Sequence, residues 1–184
     1  MSEIILSVKD LKTYFYTASG VAKAVDGVSF DIARGETMGI VGESGSGKSV
    51  TSSSIIRLLP PKTGRIVGGS IQFEEKDVLA LNQRQLLDFR GKDIAVIFQD
   101  PMTALNPTMR VGKQISEVIS AHRSISTEEA VAEGNKMLEM VGIPAERSGE
   151  YPHQFSGGMK QRVIIAIALA CRPDLLIADE PTTA

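Results

Sequence analysis

Hydrophobic residues form two kinds of strand pattern along the chain. Residues 28–32 and 71–74 alternate apolar and polar side chains, which is typical of antiparallel strands with one face exposed to water. Residues 37–42, 94–99 and 175–178 are continuous apolar runs, as expected for strands buried on both faces of a parallel sheet. The pattern therefore predicts an α/β fold with a parallel sheet and an antiparallel β subdomain.

Polar or glycine residues follow each of the three continuous runs. Ligands of open parallel sheets bind at the carboxyl ends of the strands. We therefore expect the chemistry of this protein at residues 42–49, at Gln99, and at Asp179 and Glu180.

Helical patterns occupy the stretches between the predicted strands. A helix is predicted from Lys48 to about Leu59, because Pro60 disfavours helix in the residue before it. Ser126 and Glu129 have the spacing of a capping box, which predicts the start of a further helix. The side chains predicted to face a helical core are Ile115, Val118, Ile119 and His122 in one helix, and Ala130, Met137, Leu138 and Val141 in the next.

The order of these patterns predicts two subdomains. Residues 100–158 contain helical pattern and no convincing strand, so we interpret them as a helical subdomain inserted into the sheet domain. The predicted core then consists of residues 1–99 plus 159–184, with the antiparallel β subdomain in its first part. An apolar helix from Met159 to about Ala170 leads back into this core.

Composition and charge exclude several classes of protein. A net charge of -2 gives no electrostatic support for nucleic acid as the main partner. The longest apolar run, from Val163 to Cys171, is far shorter than the roughly 20 residues of a membrane-spanning helix. Cys171 is the only cysteine, so no internal disulfide is possible. Its apolar surroundings predict a buried, unreactive thiol, which suits a reducing cytoplasm.

A phosphate loop is the clearest chemical motif. The pattern G-x-x-x-x-G-K-[ST] is matched by Gly42, Glu43, Ser44, Gly45, Ser46, Gly47, Lys48 and Ser49, and Val50 follows them. Glycines let the backbone approach a polyphosphate, and the amino end of the following helix attracts its negative charge. Lys48 is expected to reach the terminal phosphates, and the Ser49 hydroxyl to coordinate Mg²⁺. The alternative is a glycine-rich turn on a solvated loop.

Two adjacent acids end the last predicted strand. Neighbouring side chains on a strand point to opposite faces, so Asp179 and Glu180 are expected to have different roles. Asp179 suits Mg²⁺ held through water, and Glu180 suits a general base that activates water for attack on the terminal phosphate. Gln99 ends another predicted strand, where a neutral amide can touch the metal or its water. Ordinary polar strand ends are the alternative at all three positions.

A second glycine motif, FSGGMKQRV at residues 155–163, precedes the apolar helix. Ser156, Gly157 and Gly158 form the amino end of that helix, which is a second candidate anion site. One ATP does not need two such sites in one chain. This site is therefore interpreted as serving a phosphate bound by another copy, the alternative being a helix cap whose glycines only shape a turn.

Taken together, these motifs resemble a known family. The phosphate loop, Gln99, FSGGM and LLIADE resemble, in order and spacing, the ATP-binding subunits of ABC transporters. The longer stretches AVDGVSFDIARGETMGIVGESGSGKS and YPHQFSGGMKQRVIIAIALACRPDLLIADEPTTA look like the ATPases of di- and oligopeptide importers. The resemblance covers nearly the whole chain and implies a P-loop NTPase core.

The resemblance also implies an ATP-driven dimer. In such a dimer Ser156, Gly157 and Gly158 of one subunit clamp the γ-phosphate of ATP bound, with Mg²⁺, by the other. The family places an aromatic ring on the adenine, and a gapless count favours Phe15 over Tyr14 and Tyr16.

The chain departs from the family pattern in two places. Met159 stands where the general family usually has glutamine, although peptide importers often have methionine there. The family fold continues beyond Ala184, into further strands and a histidine near the γ-phosphate. With that C-terminal part of the fold absent, we expect the 184-residue chain to bind ATP but to hydrolyse it poorly.

The leading functional hypothesis is an ATPase subunit that powers peptide import. The implied partners are a second ATPase subunit, integral membrane permease subunits and, indirectly, an extracytoplasmic substrate-binding protein. The implied location is peripheral, on the cytoplasmic face of the cell membrane, and no nucleic acid partner is expected. The alternatives are a soluble ABC-type ATPase acting on nucleic acid or ribosomes, and a nucleotide-binding fragment without turnover.

Overall fold

A computed structural model describes residues 3–98 and 104–180 of the chain. The chain divides into two compact units, Met1–Leu86 and Leu87–Ala184, and each is described by itself. This division does not test the predicted subdomains, which remain a prediction.

The first unit is built on an antiparallel sheet with the strand order β2-β1-β3-β4. The strands are β1 (Ile4–Thr17), β2 (Gly20–Ala33), β3 (Gly64–Phe73) and β4 (Lys76–Asp77). Both strands predicted from alternating residues are confirmed, since residues 28–32 lie in β2 and residues 71–73 in β3. Leu6 of β1 pairs with Ile32 on one side and with Phe73 on the other.

Much of the core of the first unit is formed by side chains of strands β1 and β3. Leu6, Val8 and Leu11 of β1 are buried with Ile71 and Phe73 of β3. Burial of these side chains supplies the main stabilisation of the sheet, at about 1.5–3 kcal/mol for each large apolar side chain.

Helix α1 (Lys48–Ile55) follows the phosphate loop and is shorter than predicted. Thr51, Ser52 and Ser54 each donate a side-chain hydroxyl to the carbonyl oxygen four residues before them. Such bonds compete with helix geometry, so this serine-rich stretch is a weak helix former. The chain leaves the helix at Arg57, which has a φ of 53°. The helix therefore ends before Pro60 can stop it.

The predicted strand at residues 37–42 is wrong. The segment is not a strand in the structure, and Ile40 and Val41 are 48% and 96% exposed. A strand needs a neighbour to accept and donate its ladder hydrogen bonds. Among the described residues, none pairs with this segment.

In the residues described, the second unit combines two parallel strands with helices of eight or more residues. After helix α2 (Gln83–Asp88) and an irregular turn at Phe89–Asp93, the elements are β5 (Ile94–Ile97), α3 (Val111–His122), α4 (Thr127–Met140), α5 (Gly157–Leu169) and β6 (Leu175–Ala178). Strands β5 and β6 pair in parallel, with Ile94 opposite Leu175 and Ile97 opposite Ala178. The predicted strand at 175–178 is confirmed, and that at 94–99 is confirmed for Ile94–Ile97.

The helices of the second unit agree with the sequence pattern. Residues 104–156 contain α3, α4 and short turns, and no strand. The capping box at the start of α4 is present, with the Ser126 hydroxyl accepting from Glu129 N at 3.2 Å and Ser126 N donating to Glu129 Oε2 at 2.9 Å. Ile115, Ile119, Leu138 and eleven other apolar side chains of this unit form one buried cluster with Ala130 and Met137.

Two further observations concern membrane-spanning helices and the single cysteine. Within the described part of the chain, no helix is both long and apolar enough to cross a membrane. Cys171 is half-buried, and its thiol donates to Val118 O at 3.7 Å. Burial raises the pKa of this thiol, which favours its protonated form.

Candidate functional site

The phosphate loop owes its shape to two glycines. Gly45 and Gly47 have φ values of 81° and 96°, and residues with a side chain rarely adopt this backbone conformation. Gly47 caps α1 and approaches Ala24 O so closely that a Cβ atom on it would overlap this carbonyl oxygen. The loop thus meets the start of α1 at a point where only glycine fits.

The Lys48 side chain turns back over the loop. Its Nζ donates to Gly42 O at 2.7 Å and to Glu43 O at 2.9 Å. Two carbonyl oxygens therefore stand where a phosphate group would present its own oxygens to the ammonium. This arrangement places a cation beside the first backbone amides of α1, which have no acceptor within the helix.

The remaining loop residues are largely exposed. Ser46 N donates to Glu43 O at 3.1 Å, which closes the turn. Residues 42–46 and Ser49 are exposed, and Val50 is half-buried in α1. A cavity of ≈ 360 Å³ lies next to the loop. Its lining consists of Val28, Phe30, Met38, Gly39, Ile40, Val41, Gly42, Ser46, Lys48 and Thr51.

The three aromatic candidates for adenine contact follow one another in β1 but have different surroundings. Tyr14 donates its hydroxyl to Asp26 at 2.8 Å. Tyr16 is exposed, with the Arg65 guanidinium 5.9 Å from its ring. Phe15 is half-buried opposite Gly64, where a Cβ atom would lie 3.0 Å from the Phe15 ring. Its assignment to adenine stays a prediction.

In the second unit, the acid pair follows β6 as the sequence predicts. Asp179 N donates to Ile97 O at 2.9 Å, so the strand pairing continues up to the first acid. At Glu180 the chain then turns out of the strand with a φ of 50°, a backbone conformation that is uncommon for residues other than glycine. The two carboxylates are therefore held at the carboxyl end of a parallel strand, with a sharp change of chain direction between them.

The second glycine motif forms the amino end of α5. Ser156 is the cap residue, and its hydroxyl accepts from Met159 N at 3.4 Å. Gly157 and Gly158 are exposed, and a Cβ atom added to either would have no neighbour within 4 Å. The predicted helix is confirmed but begins at Gly157, two residues before the predicted Met159, and the two glycines of its first turn face open space.

A turn before α5 anchors this motif. Phe155 is buried, and Val111 N at the start of α3 donates to Glu150 O at 2.9 Å. Arg147 forms a bidentate ion pair with Glu150. This hydrogen bonding raises the pKa of Arg147 and lowers that of Glu150. Sequence reasoning missed Arg147, although its spacing of three residues from Glu150 is a signal for such a pair.

The predicted site residues are therefore placed in two groups. The phosphate loop belongs to the first unit, whereas Asp179, Glu180 and the Ser156 motif belong to the second. Gln99 lies outside the residues that the structure describes.

Comparison with known proteins assigns most of the chain to one family. The family model described as ABC transporter matches residues 25–183. The dipeptide transport ATP-binding protein DppD of Bacillus subtilis (strain 168) is 55% identical over 99% of this chain and 55% of that protein. The oligopeptide transport ATP-binding protein OppD of Escherichia coli (strain K12) is 51% identical over 100% of this chain and 54% of that protein. The chain therefore spans about half the length of the curated relatives it matches.

Solved structures of cassettes have the same fold. The dimeric, post-hydrolysis ATP-binding cassette MJ0796 bound to ADP and Pi matches with a TM-score of 0.87 and 27% identity, over 97% of this chain and 75% of that chain. The cbiO1 protein from Clostridium perfringens, described as part of the ABC transporter complex cbiONQ, has a TM-score of 0.77 and 28% identity, over 99% of this chain and 67% of that chain. The predicted fold class is confirmed.

Proposed function

Because the chain belongs to the ABC transporter family, we propose that it forms the ATP-binding and ATP-hydrolysing part of an importer of di- or oligopeptides. The relatives that are named dipeptide and oligopeptide transport ATP-binding proteins support the substrate class. The phosphate loop is the observation that carries the ATP part of the proposal.

The loop fits a polyphosphate in three respects. Gly47 leaves room where a side chain would collide with Ala24 O. The first amides of α1 offer partial positive charge to an anion. Lys48 already points its ammonium at two oxygen atoms, which the oxygens of a phosphate group would replace. We assign residues 42–50 to phosphate binding and Phe15 to adenine.

The acid pair supports the hydrolytic part. We assign Ser49, Gln99 and Asp179 to the Mg²⁺ site, since hydroxyl, amide and carboxylate oxygens suit this ion. ATP supplies a γ-phosphoryl group for transfer to water, and Mg²⁺ offsets its negative charge. Glu180 is assigned as the general base, a role typically worth about 10² to 10⁴ in rate. Lys48 stabilises charge on the terminal phosphates.

The exposed amino end of α5 supports a dimer. Ser156, Gly157 and Gly158 leave open space around a helix amino end, which is suited to an anion brought by another molecule. We propose that the γ-phosphate of ATP on a second copy, or on a related ATPase subunit, occupies this space. Two copies would then complete each other's nucleotide sites.

The other partners follow from the transporter assignment. We propose that integral membrane permease subunits hold this subunit on the cytoplasmic face of the membrane as a peripheral protein. An extracytoplasmic substrate-binding protein would act on it only through those subunits. The division into a core of residues 1–99 plus 159–184 and a helical subdomain of residues 100–158 is part of the same proposal. A soluble ATPase acting on nucleic acid is not favoured, because the net charge is -2 and the relatives are transport proteins.

A Glu180→Gln substitution tests the proposal in the full polypeptide assembled with its membrane subunits. We expect MgATP binding to persist while ATP turnover falls by about 10² to 10⁴. Asp174→Asn is the matched control, because Asp174 precedes the same strand at its opposite end and should leave turnover unchanged. Unchanged turnover in the Glu180→Gln protein would remove Glu180 from its role, and absence of ATP binding by the unaltered protein would refute the function.

A further inference from the structure

Arg147 connects the turn before α5 to the first turn of that helix. Its Nη1 donates to Met159 Sδ and its Nη2 to Gln154 O, both at 3.3 Å. Its Nε donates to both carboxylate oxygens of Glu150 at 3.0 Å, and the guanidinium lies 4.5 Å from the centroid of the Phe155 ring. One side chain therefore contacts residues on both sides of the cap residue of α5.

These contacts need the planar shape of a guanidinium. A lysine ammonium carries the same charge, but it is a point donor that cannot bind a carboxylate through two parallel bonds and stack on a ring at the same time. Phe155 is buried, so the contact of Arg147 with its ring is made to a fixed part of the unit. Through these contacts Arg147 restrains Met159 relative to Phe155 and Glu150.

The charge of Arg147 is not available to a phosphate. The carboxylate of Glu150 lies 2.7 Å from Nη2 and neutralises the guanidinium locally. Attraction of an anion to this end of α5 is therefore left to the helix amides and the Ser156 hydroxyl. Arg147 therefore holds the helix in place, whereas the helix amides and the Ser156 hydroxyl bind the phosphate.

We propose that Arg147 is a positioning residue that, through Glu150, Phe155 and Met159, fixes the first turn of α5 for the phosphate of a second copy. This inference rests on the proposed function, because it names a device that serves the proposed phosphate contact. The proposal also assigns a role to Met159, which stands at a position where glutamine is usual in the family. The Met159 sulfur accepts a hydrogen bond from the side chain that orders the turn.

Amide hydrogen exchange on the full polypeptide without nucleotide tests the ordering. Arg147→Lys is expected to accelerate exchange at Lys160 and the next two amides by about tenfold, which corresponds to a loss of about 1.4 kcal/mol of local stability. Exchange near the other end of α5 should not change. Arg162→Ala is the matched control, because Arg162 lies on the same helix but donates to Val141 O and Gly142 O at the end of α4. Unchanged exchange at Lys160 in the Arg147→Lys protein would overturn the proposal.

Association in the presence of a non-hydrolysable ATP analogue and Mg²⁺ tests the function of that ordering. Arg147→Lys is expected to weaken association by about tenfold or more, while nucleotide affinity of the separate copies stays unchanged. Arg162→Ala should associate as the unaltered protein does. Faster exchange with unchanged association would also overturn the proposal, because Arg147 would then have a purely structural role.

A Glu150→Gln substitution distinguishes positioning from direct phosphate contact by the sign of its effect. Loss of the bidentate pair should weaken association if Arg147 positions the helix. Stronger association would mean that the released guanidinium binds phosphate itself, and would overturn the proposal. If the unaltered protein does not associate with the analogue, the proposed function fails as well. Association of the unaltered protein with equal association of all variants refutes only the role of Arg147.

Discussion

Gly47 offers a direct test of how the phosphate loop is built. Gly45 and Gly47 both have positive φ, but a Cβ atom on Gly45 would have no neighbour within 4 Å, whereas one on Gly47 would lie closer than 3.0 Å to Ala24 O. Replacement of each glycine by alanine therefore separates two costs. Gly45→Ala carries only the cost of the left-handed backbone, and Gly47→Ala carries this cost and a steric overlap with the main chain.

The magnitudes follow from these two terms. A left-handed conformation costs a residue with a side chain about 1–2 kcal/mol. Overpacking typically adds about 1–3 kcal/mol, because the neighbour that must move is backbone. We therefore expect Gly45→Ala to lower the free energy of unfolding of the first unit by about 1–2 kcal/mol, and Gly47→Ala by about 2–5 kcal/mol.

Urea denaturation read by amide exchange of peptides within residues 3–86 measures this difference. The midpoint should fall further for Gly47→Ala than for Gly45→Ala, with the slope unchanged. Free energies of unfolding that agree for the two variants within about 0.5 kcal/mol would refute the close approach of Gly47 to Ala24 O.

Other variants test the second unit. Leu138→Ala should lower the free energy of unfolding by about 2–5 kcal/mol in thermal or urea unfolding, because Leu138 is fully buried in α4, while Met140→Ala on the same helix, 66% exposed, should change it by less than about 0.5 kcal/mol. Ser126→Ala should cost about 1 kcal/mol by removing the cap of α4. Hydrogen bonds from Ser126 lower the pKa of Glu129, so the stability from this carboxylate is present above the ordinary value of 4.5 and is lost as the pH falls through the lowered pKa. Unfolding of a Glu129→Gln protein, which lacks the titrating carboxylate, should therefore depend less on pH in this acid range, and an identical pH profile would contradict the role of Glu129 in the cap. Gly158→Ala should leave stability equal or higher, since alanine favours helix by about 1 kcal/mol, and yet weaken ATP-dependent association in sedimentation. Normal association would remove Gly158 from the phosphate site.

The sequence predicted those parts of the fold that depend on contacts between residues close together in the chain. The strand at 175–178 has the predicted bounds, since β-branched and apolar residues stop where the acids begin. The start of α4 was predictable because a capping box is a contact between residues three apart. The start of α5 was predictable from Ser156 for the same reason.

The failures have causes that are not local. Residues 37–42 have the pattern of a buried strand, but a pattern does not supply the neighbour that a strand must pair with. Helix α1 ends early because several hydroxyls return to its own carbonyls, which a search for proline and glycine stops overlooks. Arg147 went unnoticed because its function depends on contacts to Phe155 and Met159 that meet it only in the fold.

The Lys48 ammonium already donates hydrogen bonds to two carbonyl oxygens of its own loop, so an anion that binds there must compete with them. Two bonds between the ammonium and carbonyl oxygens must break before phosphate can take their place, at a cost of about 1.5–3 kcal/mol for each charged bond. Under the proposed function, contacts of the nucleotide with the helix amides and with the metal would offset this cost. The resting loop thus sets an energetic cost that any anion binding at Lys48 must overcome.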